Sequence, residues 1–228
     1  MLKYLRKIND VSITGNMAKW YDKNSRENRR AEFAGYAKEI ACLVKPGEGS
    51  GGGKPHILEV APGPGYVSIE LAKLGNYHIT GMDISADFVE ICKANANREK
   101  VAVDFVQGNV SAMPFNGESF DALFCSAAFK NFHNPSGALE EMYRVLKPGG
   151  QGLIIDMNKN TTTAVRKGEV HKMQVHGFER WFMLFAFGTF LRNGAYTKEG
   201  FEALLASSRF SNWNVEEQGI SLYVHLYK

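Results

Sequence analysis

The chain is poor in cysteine. Only Cys42, Cys92 and Cys125 occur among 228 residues. The number is odd, the spacings are wide and no CxxC is present. That pattern excludes a disulfide framework and a clustered zinc site, so no metal is expected, and it fits a reducing compartment, the cytoplasm. Long apolar runs are also missing. The longest, Trp181 to Leu191, has 11 residues and is broken by Gly188 and Thr189, too short to span a bilayer. Met1 to Asp10 is charged and mixed and lacks the apolar centre of a signal peptide. Neither sign of charge dominates: 27 Lys and Arg face 24 Asp and Glu, a net +3. A nucleic-acid partner is therefore not expected. The densest cationic stretch (Lys19, Lys23, Arg26, Arg29 and Arg30) is diluted by Asp22 and Glu27 and reads as a solvated helix face.

What is there suits a single globular domain with a full core: 44% of residues are hydrophobic and 22% charged. No internal repeat is visible. Gly49-Ser50-Gly51-Gly52-Gly53 reads as a surface loop that ends an N-terminal helical segment. Strand and helix signals then alternate. Apolar runs at 57–60, 78–82, 103–107, 120–126 and 152–156 read as buried parallel strands. Helical spacing covers 66–74, 86–97 and 135–146, and Lys147-Pro148-Gly149-Gly150 is expected to stop the last helix and turn the chain. This alternation implies right-handed βαβ units, an α/β fold with helices on both faces of the sheet. Residues 161–192 read as helical and end unusually aromatic. A helix over 197–207 follows, with Thr197 as its N-cap and Gly200 awkward in its interior. Strands at 213–218 and 221–227 around Gly219 suggest an antiparallel hairpin.

Four strand ends carry chemistry. Glu59-Val60-Ala61-Pro62-Gly63-Pro64-Gly65 closes the first strand. Gly63 and Gly65 permit a tight turn and close ligand approach, and the next helix points its first amides at the ligand. A carboxylate as deep in a strand as Glu59 suits an ammonium-bearing ligand and not a pyrophosphate. Asp83 ends the second strand, where an acid can accept both hydroxyls of a ribose, and Ile84 can flank an adenine. Asp83 or Ser85 also suits the N-cap of the following helix. Gln107-Gly108-Asn109-Val110 follows the third strand and offers an amide for an adenine edge, or a surface turn. Ser126-Ala127-Ala128-Phe129-Lys130-Asn131-Phe132-His133 follows the fourth and suits a wall between cofactor and substrate.

Taken in order, ILEVAPGPG, GMDIS, FVQGNVSAMPF, SFDALFCSAAF and LEEMYRVLKPGG resemble the class I S-adenosylmethionine-dependent methyltransferases. The likeness is to the small-molecule branch with the ubiquinone and menaquinone C-methyltransferases, and it covers roughly residues 57 to 156. It implies a Rossmann-like three-layer αβα sandwich, with a mostly parallel seven-stranded sheet and an antiparallel terminal strand. It implies S-adenosyl-L-methionine as cofactor and S-adenosyl-L-homocysteine as product. Glu59, Gly63 and Gly65 then hold the methionine part, Asp83 the ribose, Asn109 and Val110 the adenine, and Ser126 and Ala127 line the cofactor; Ala61 in the glycine turn and Ile84 beside Asp83 are counted with them as cofactor-binding residues. Two positions depart from the pattern. Ala61-Pro62 replaces the more usual glycine-cysteine type of pair, and Asn109 stands where aspartate is frequent.

The stretch Met17 to Asp22 resembles the family's cofactor cover, which makes Tyr21 the candidate contact to the cofactor carboxylate; an aromatic helix face packed on the core is the other reading. The expected division is a cover over 1–48, a cofactor-binding core over 54–160, a helical lid over 161–195, and a final helix and hairpin over 196–228. The acceptor is a small molecule, aromatic or hydrophobic in keeping with the aromatic lid; that lid also suits internal packing or a homodimer contact. Stable membrane insertion is not expected. His133, Lys130 and His176 are the candidates for proton handling. Rival readings are a cyclisation or elimination that uses the same cofactor, an NAD-dependent oxidoreductase with Ser68 as the third small residue, and a non-catalytic partner subunit. Glu59 and the terminal hairpin argue against the oxidoreductase.

Overall fold

The computed structural model describes residues 13–44, 49, 52–172, 181, 192 and 194–228. Their strands are β1 (His56–Val60), β2 (His78–Asp83), β3 (Asp104–Gln107), β4 (Phe120–Ser126), β5 (Leu146–Met157), β6 (Asn212–Gln218) and β7 (Ser221–Tyr227). Their helices are α1 (Gly15–Asn28), α2 (Arg30–Ala41), α3 (Tyr66–Leu74), α4 (Ala86–Glu99), α5 (Pro135–Val145), α6 (Thr163–Lys172) and α7 (Lys198–Ala206). The seven strands form one sheet in the order β3-β2-β1-β4-β5-β7-β6. β1 to β5 pair in parallel, and β7 runs antiparallel to both β5 and β6.

Alternation along the strands builds two cores. Leu58, Leu123, Cys125 and Ile154 point to one face and meet α5 and α7 through Leu139, Met142, Phe201 and Leu205. Ile57, Ala122, Phe124, Leu153 and Ile155 point to the other and meet α2, α3 and α4 through Phe33, Ile69 and Cys92. A period of two thus buries both faces, and the result is the expected three-layer sandwich. Strand order reverses between β1 and β4, so a crevice opens at the carboxyl ends of these strands.

Helix ends follow local chemistry. Ser85 caps α4 by accepting from the Phe88 amide at 3.4 Å. Thr197 caps α7 by accepting from the Gly200 amide at 3.0 Å, and a Cβ on Gly200 would stand 3.3 Å from that hydroxyl. One expectation fails. The Lys147 to Gly150 stretch does end α5, but it lies within β5 instead of turning the chain away. Leu146 already pairs with Phe120, the Gly149 amide donates to Lys228 O at 2.8 Å, and the Lys228 amide donates to Gly150 O at 3.1 Å. The distant C-terminus supplies ladder partners that no local pattern announces.

Of the expected lid, α6 is helical, and most of 173–191, including His176, lies outside the described residues. Among the described residues, no helix is long and apolar enough to cross a membrane, and no group of three or more His, Cys, Asp and Glu could hold a metal ion.

Candidate active site

The turn after β1 departs from ordinary backbone at three places. Ala61 has φ +55°, Gly63 φ +56° and Gly65 φ +80°. Glycine takes such angles without cost, whereas Ala61 is held there with its amide donating to Met82 O at 2.8 Å. Gly65 is also sterically required, because a Cβ there would lie 2.9 Å from Cys92 Sγ. The Cys92 thiol donates to Gly63 O at 2.9 Å from beneath the turn, and burial pushes its ionisation up, so it acts as a buried donor.

Glu59 shares a face with Ile57, which turns it under α3. Its Oε2 accepts from the Ser68 amide at 3.1 Å and from the Ser68 hydroxyl. Its Oε1 is buried and has no hydrogen-bond partner. Burial raises the carboxyl from 4.5 to about 7; the Ser68 hydrogen bonds oppose the rise and the Asp83 charge adds to it. An unpartnered buried acceptor of this kind calls for a donor, and a ligand ammonium is one. Ser68 is therefore committed to Glu59.

Asp83 links two turns. Its Oδ2 accepts from the Gly63 amide at 3.1 Å, and its Oδ1 accepts from the Ser85 amide at 2.9 Å. Burial raises its carboxyl, opposed by the backbone amides of Ser85, Gly63 and Ile84. A carboxylate has about four lone-pair positions, so two ribose hydroxyls can still be accepted. The N-cap role falls to Ser85, which leaves Asp83 to the crevice. Ile84 beside it is 54% exposed, an apolar side chain left to solvent at the crevice rim. Gln107 donates to Ile84 O at 3.1 Å, and Gly108 donates to Asp83 O at 3.0 Å, tying the β3 loop to the same point. Asn109 accepts from the Ser111 amide at 2.9 Å, an Asx turn that leaves its amide nitrogen without a partner among the described residues. Val110 is half-buried against the core.

After β4, Ala127 also takes a left-handed φ, +56°, with its amide on Ile155 O at 2.7 Å. Lys130 explains why the loop holds. Its ammonium donates to Asp156 Oδ1 at 2.8 Å and to Ala127 O at 2.7 Å, and its amide donates to Asp156 Oδ2 at 2.8 Å. The side chains are only 9% and 3% exposed. An amine so engaged holds the loop in place. His133 stands exposed at the end of the same loop, and His171 is exposed on α6.

The cover reaches the site. The Tyr21 ring lies 5.9 Å from Phe88, edge on, and 3.8 Å from the place a Gly63 Cβ would occupy. Asp22 accepts from Tyr66 Oη and from Asn95 Nδ2, both at 2.8 Å. Gly15 donates to Asp87 at 2.6 Å, and Ser85 donates to Ile13 O at 2.8 Å. Thus Tyr21, Glu59, Ala61, Gly63, Gly65 and Asp83 gather around one turn, with Ile84 and the Asn109 loop beside it and Ser126–Ala127 on the next strand. The reading of sequence missed Ser68, Asp156 and Arg29 as partners. Asp156 did leave a signal, a charge that ends the apolar run of β5.

Known proteins resemble this chain in sequence and in fold. Residues 58–154 match the methyltransferase-domain family. The ubiquinone/menaquinone biosynthesis C-methyltransferase UbiE of Ruegeria sp. is 33% identical over 114 residues, 49% of this chain and 46% of that protein. The demethylmenaquinone methyltransferase of Chlorobaculum tepidum is 33% identical over 121 residues, 53% of this chain and 48% of that protein. The match thus spans about half the length of these relatives. A Methanococcus maripaludis protein described as an S-adenosyl-L-methionine-dependent methyltransferase superposes with a TM-score of 0.74 at 20% identity, covering 96% of this chain and 95% of its own. A SAM-dependent methyltransferase from Aquifex aeolicus gives 0.66 at 18% identity, covering 95% and 98%. The two superpositions establish the fold, and the sequence match covers the strand ends at which Glu59, Gly63, Gly65, Asp83 and Ser126 stand. Residues 58–154 therefore resemble a methyltransferase domain in sequence, and the chain shares the fold of the two methyltransferases superposed on it.

Proposed function

We propose that the chain transfers the cofactor's methyl group to a small hydrophobic acceptor, a quinone-like or other aromatic ring. The observation that carries this reading is the unpartnered Glu59 Oε1 beside the glycine turn, an acceptor waiting for the ammonium of an amino-acid tail. Asp83 takes the ribose hydroxyls, Ile84 and Val110 flank the adenine, Asn109 meets its edge, and the turn from Ala61 to Gly65 admits the tail. The names of the relatives from Ruegeria and Chlorobaculum support a quinone-type acceptor.

The bound cofactor supplies a methyl carbon already activated by a positive sulfur. The chain's own task is then alignment and exclusion of water. Tyr21 and α1 close the crevice from above, and the Lys130–Asp156 pair fixes the wall on which the acceptor rests. His133 takes up a proton where the acceptor releases one, with His176 as the second candidate for that role; Lys130 serves through the shape of the loop. The division into cover (1–48), core (54–160), lid (161–195) and terminal helix and hairpin (196–228) follows this scheme.

The test is transfer of labelled methyl from S-adenosylmethionine to a panel of demethylated quinones, phenols and amines, read by mass spectrometry, beside titrations with S-adenosylhomocysteine and NAD. Label in a quinone or phenol is expected. Binding of NAD in place of S-adenosylhomocysteine removes the reading, and label confined to amines removes the acceptor class.

A further inference from the structure

Just before α7 the chain crosses the carboxyl ends of β4 and β5. Gly194 passes so close to the loop after β4 that a Cβ on it would stand 2.7 Å from Lys130 O. Tyr196 then runs alongside the chain that leaves β5. It forms a β-bridge with Asn158, and its carbonyl accepts from the Lys159 amide at 2.9 Å. The backbone of Tyr196 is thereby fixed at the end of the sheet where the crevice opens.

The Tyr196 ring packs on two phenylalanines. Phe129, fully buried in the loop after β4, lies 5.9 Å away, and Phe201 on α7 lies 5.1 Å away. Tyr196 precedes the cap Thr197, and Phe201 is the fourth residue of the helix, so this pair is a hydrophobic staple. A phenylalanine at 196 would make both contacts equally well. The packing leaves the hydroxyl unexplained. Tyr196 is half-buried, and its hydroxyl has no hydrogen-bond partner among the described residues. Unlike the Glu59 oxygen, it is not sealed in the interior.

Its surroundings make it a donor. Burial, and then the Asp156 charge, push the phenol above its usual 10, so it keeps its proton at neutral pH. Asp156 itself is taken: its two oxygens accept from the Lys130 ammonium, the Lys130 amide and the Met157 amide. The phenol therefore stands beside a carboxylate that already has its donors. An aromatic molecule resting at the ends of β4 and β5 meets the uncovered side of this ring and the half-buried Phe132 next to Phe129. An oxygen on that molecule can accept the phenol proton, whereas a bare hydrocarbon has nothing to offer it.

We infer that Tyr196 is a specificity-determining residue for the acceptor: its hydroxyl donates to a ring oxygen, so the site selects an aromatic ring that bears oxygen. The inference rests on the methyltransferase reading above and narrows its acceptor class.

The experiment is equilibrium dialysis of the chain saturated with S-adenosylhomocysteine against 1-naphthol and against naphthalene, probes of one shape that differ by the oxygen. It compares the parent, Tyr196→Phe and Tyr196→Leu. Loss of one hydrogen bond predicts that Tyr196→Phe weakens 1-naphthol about tenfold. The same variant keeps its affinity for naphthalene, and Tyr196→Leu, which loses the ring as well, weakens both probes. A role in packing alone would not separate the two probes in Tyr196→Phe. Unchanged affinity for S-adenosylhomocysteine reports a folded site. Equal binding of 1-naphthol by parent and Tyr196→Phe, or equal losses for the two probes in that variant, overturns the inference. A parent that binds S-adenosylhomocysteine and neither probe overturns it while the methyltransferase reading stands. A parent that does not bind S-adenosylhomocysteine overturns that reading, and this inference with it.

Discussion

The Asp83 carboxylate accepts the amide of Gly63 at 3.1 Å, so the acid that ends β2 is fastened to the glycine turn that ends β1. The two strand-end turns are thereby held in register, which lowers the ordering cost of binding a ligand between them. The same bond makes Asp83 a brace between the two turns.

Asp83→Ala is expected to weaken S-adenosylhomocysteine by on the order of a hundredfold, through loss of charge-assisted bonds to two hydroxyls. Asp83→Asn keeps the Oδ1 that accepts from Ser85 and is expected to lose less. Calorimetric titration of both variants decides it. Unchanged affinity in Asp83→Ala removes the ribose role.

Glu59 predicts a pH dependence of defined sign. Burial raises its carboxyl from 4.5 to about 7, so between those values the folded protein holds a proton that the unfolded chain has released. Stability therefore falls as pH rises through this window and is level above it. At the usual conversion the loss is about 3 kcal/mol. Denaturant titrations across the window should show that slope in the parent and its absence in Glu59→Gln. Cofactor affinity runs the other way. An ammonium at Oε1 favours the carboxylate, so binding at about pH 6 expels a proton and weakens as pH falls. Calorimetry in two buffers of different ionisation enthalpy reads the proton directly, and no release at that pH counts against the contact.

Much of the fold was legible because its signals are local. Tyr66 to Leu74 and Phe120 to Ser126 were read to the residue, one from helical spacing and one from an unbroken apolar run. β5 began earlier than expected, since its first residues are paired by Phe120 and Lys228, both far away in sequence. The site followed the same rule. Glu59, Gly63, Gly65 and Asp83 stand at strand ends and announce themselves. Ser68 and Asp156 matter through partners that only the fold supplies. Arg29 was hidden among surface charges because its partners Glu32 and Tyr21 emerge only in the folded cover.

Ala61 offers a test of stored strain. It is held at φ +55°, in the left-handed region that favours glycine. Ala61→Gly relieves a left-handed alanine but adds freedom to the unfolded chain, and a net gain of about 1 kcal/mol is expected. Ala61→Val puts a β-branched residue in the same well and should cost at least about 2 kcal/mol. Thermal unfolding ranks the three proteins. If valine is tolerated as well as alanine, the turn does not hold this angle in solution.

Lys130 and Asp156 form the last test, because two roles for Lys130 give opposite results. The pair is buried, and each partner satisfies the other as well as the loop backbone. Removing either one leaves a charge without its counter-ion, so Lys130→Met and Asp156→Leu are each expected to cost about 3 to 5 kcal/mol. Removing both leaves no orphan, and the double variant should lose far less than the sum, with a coupling of 1 kcal/mol or more by the usual cycle for residues in contact. A lysine acting as a base would show no such coupling, and its loss would fall on the rate of methyl transfer. Denaturant unfolding of the four proteins, read beside cofactor affinity, separates these cases. Additive losses in stability would end the view that this pair shapes the acceptor wall.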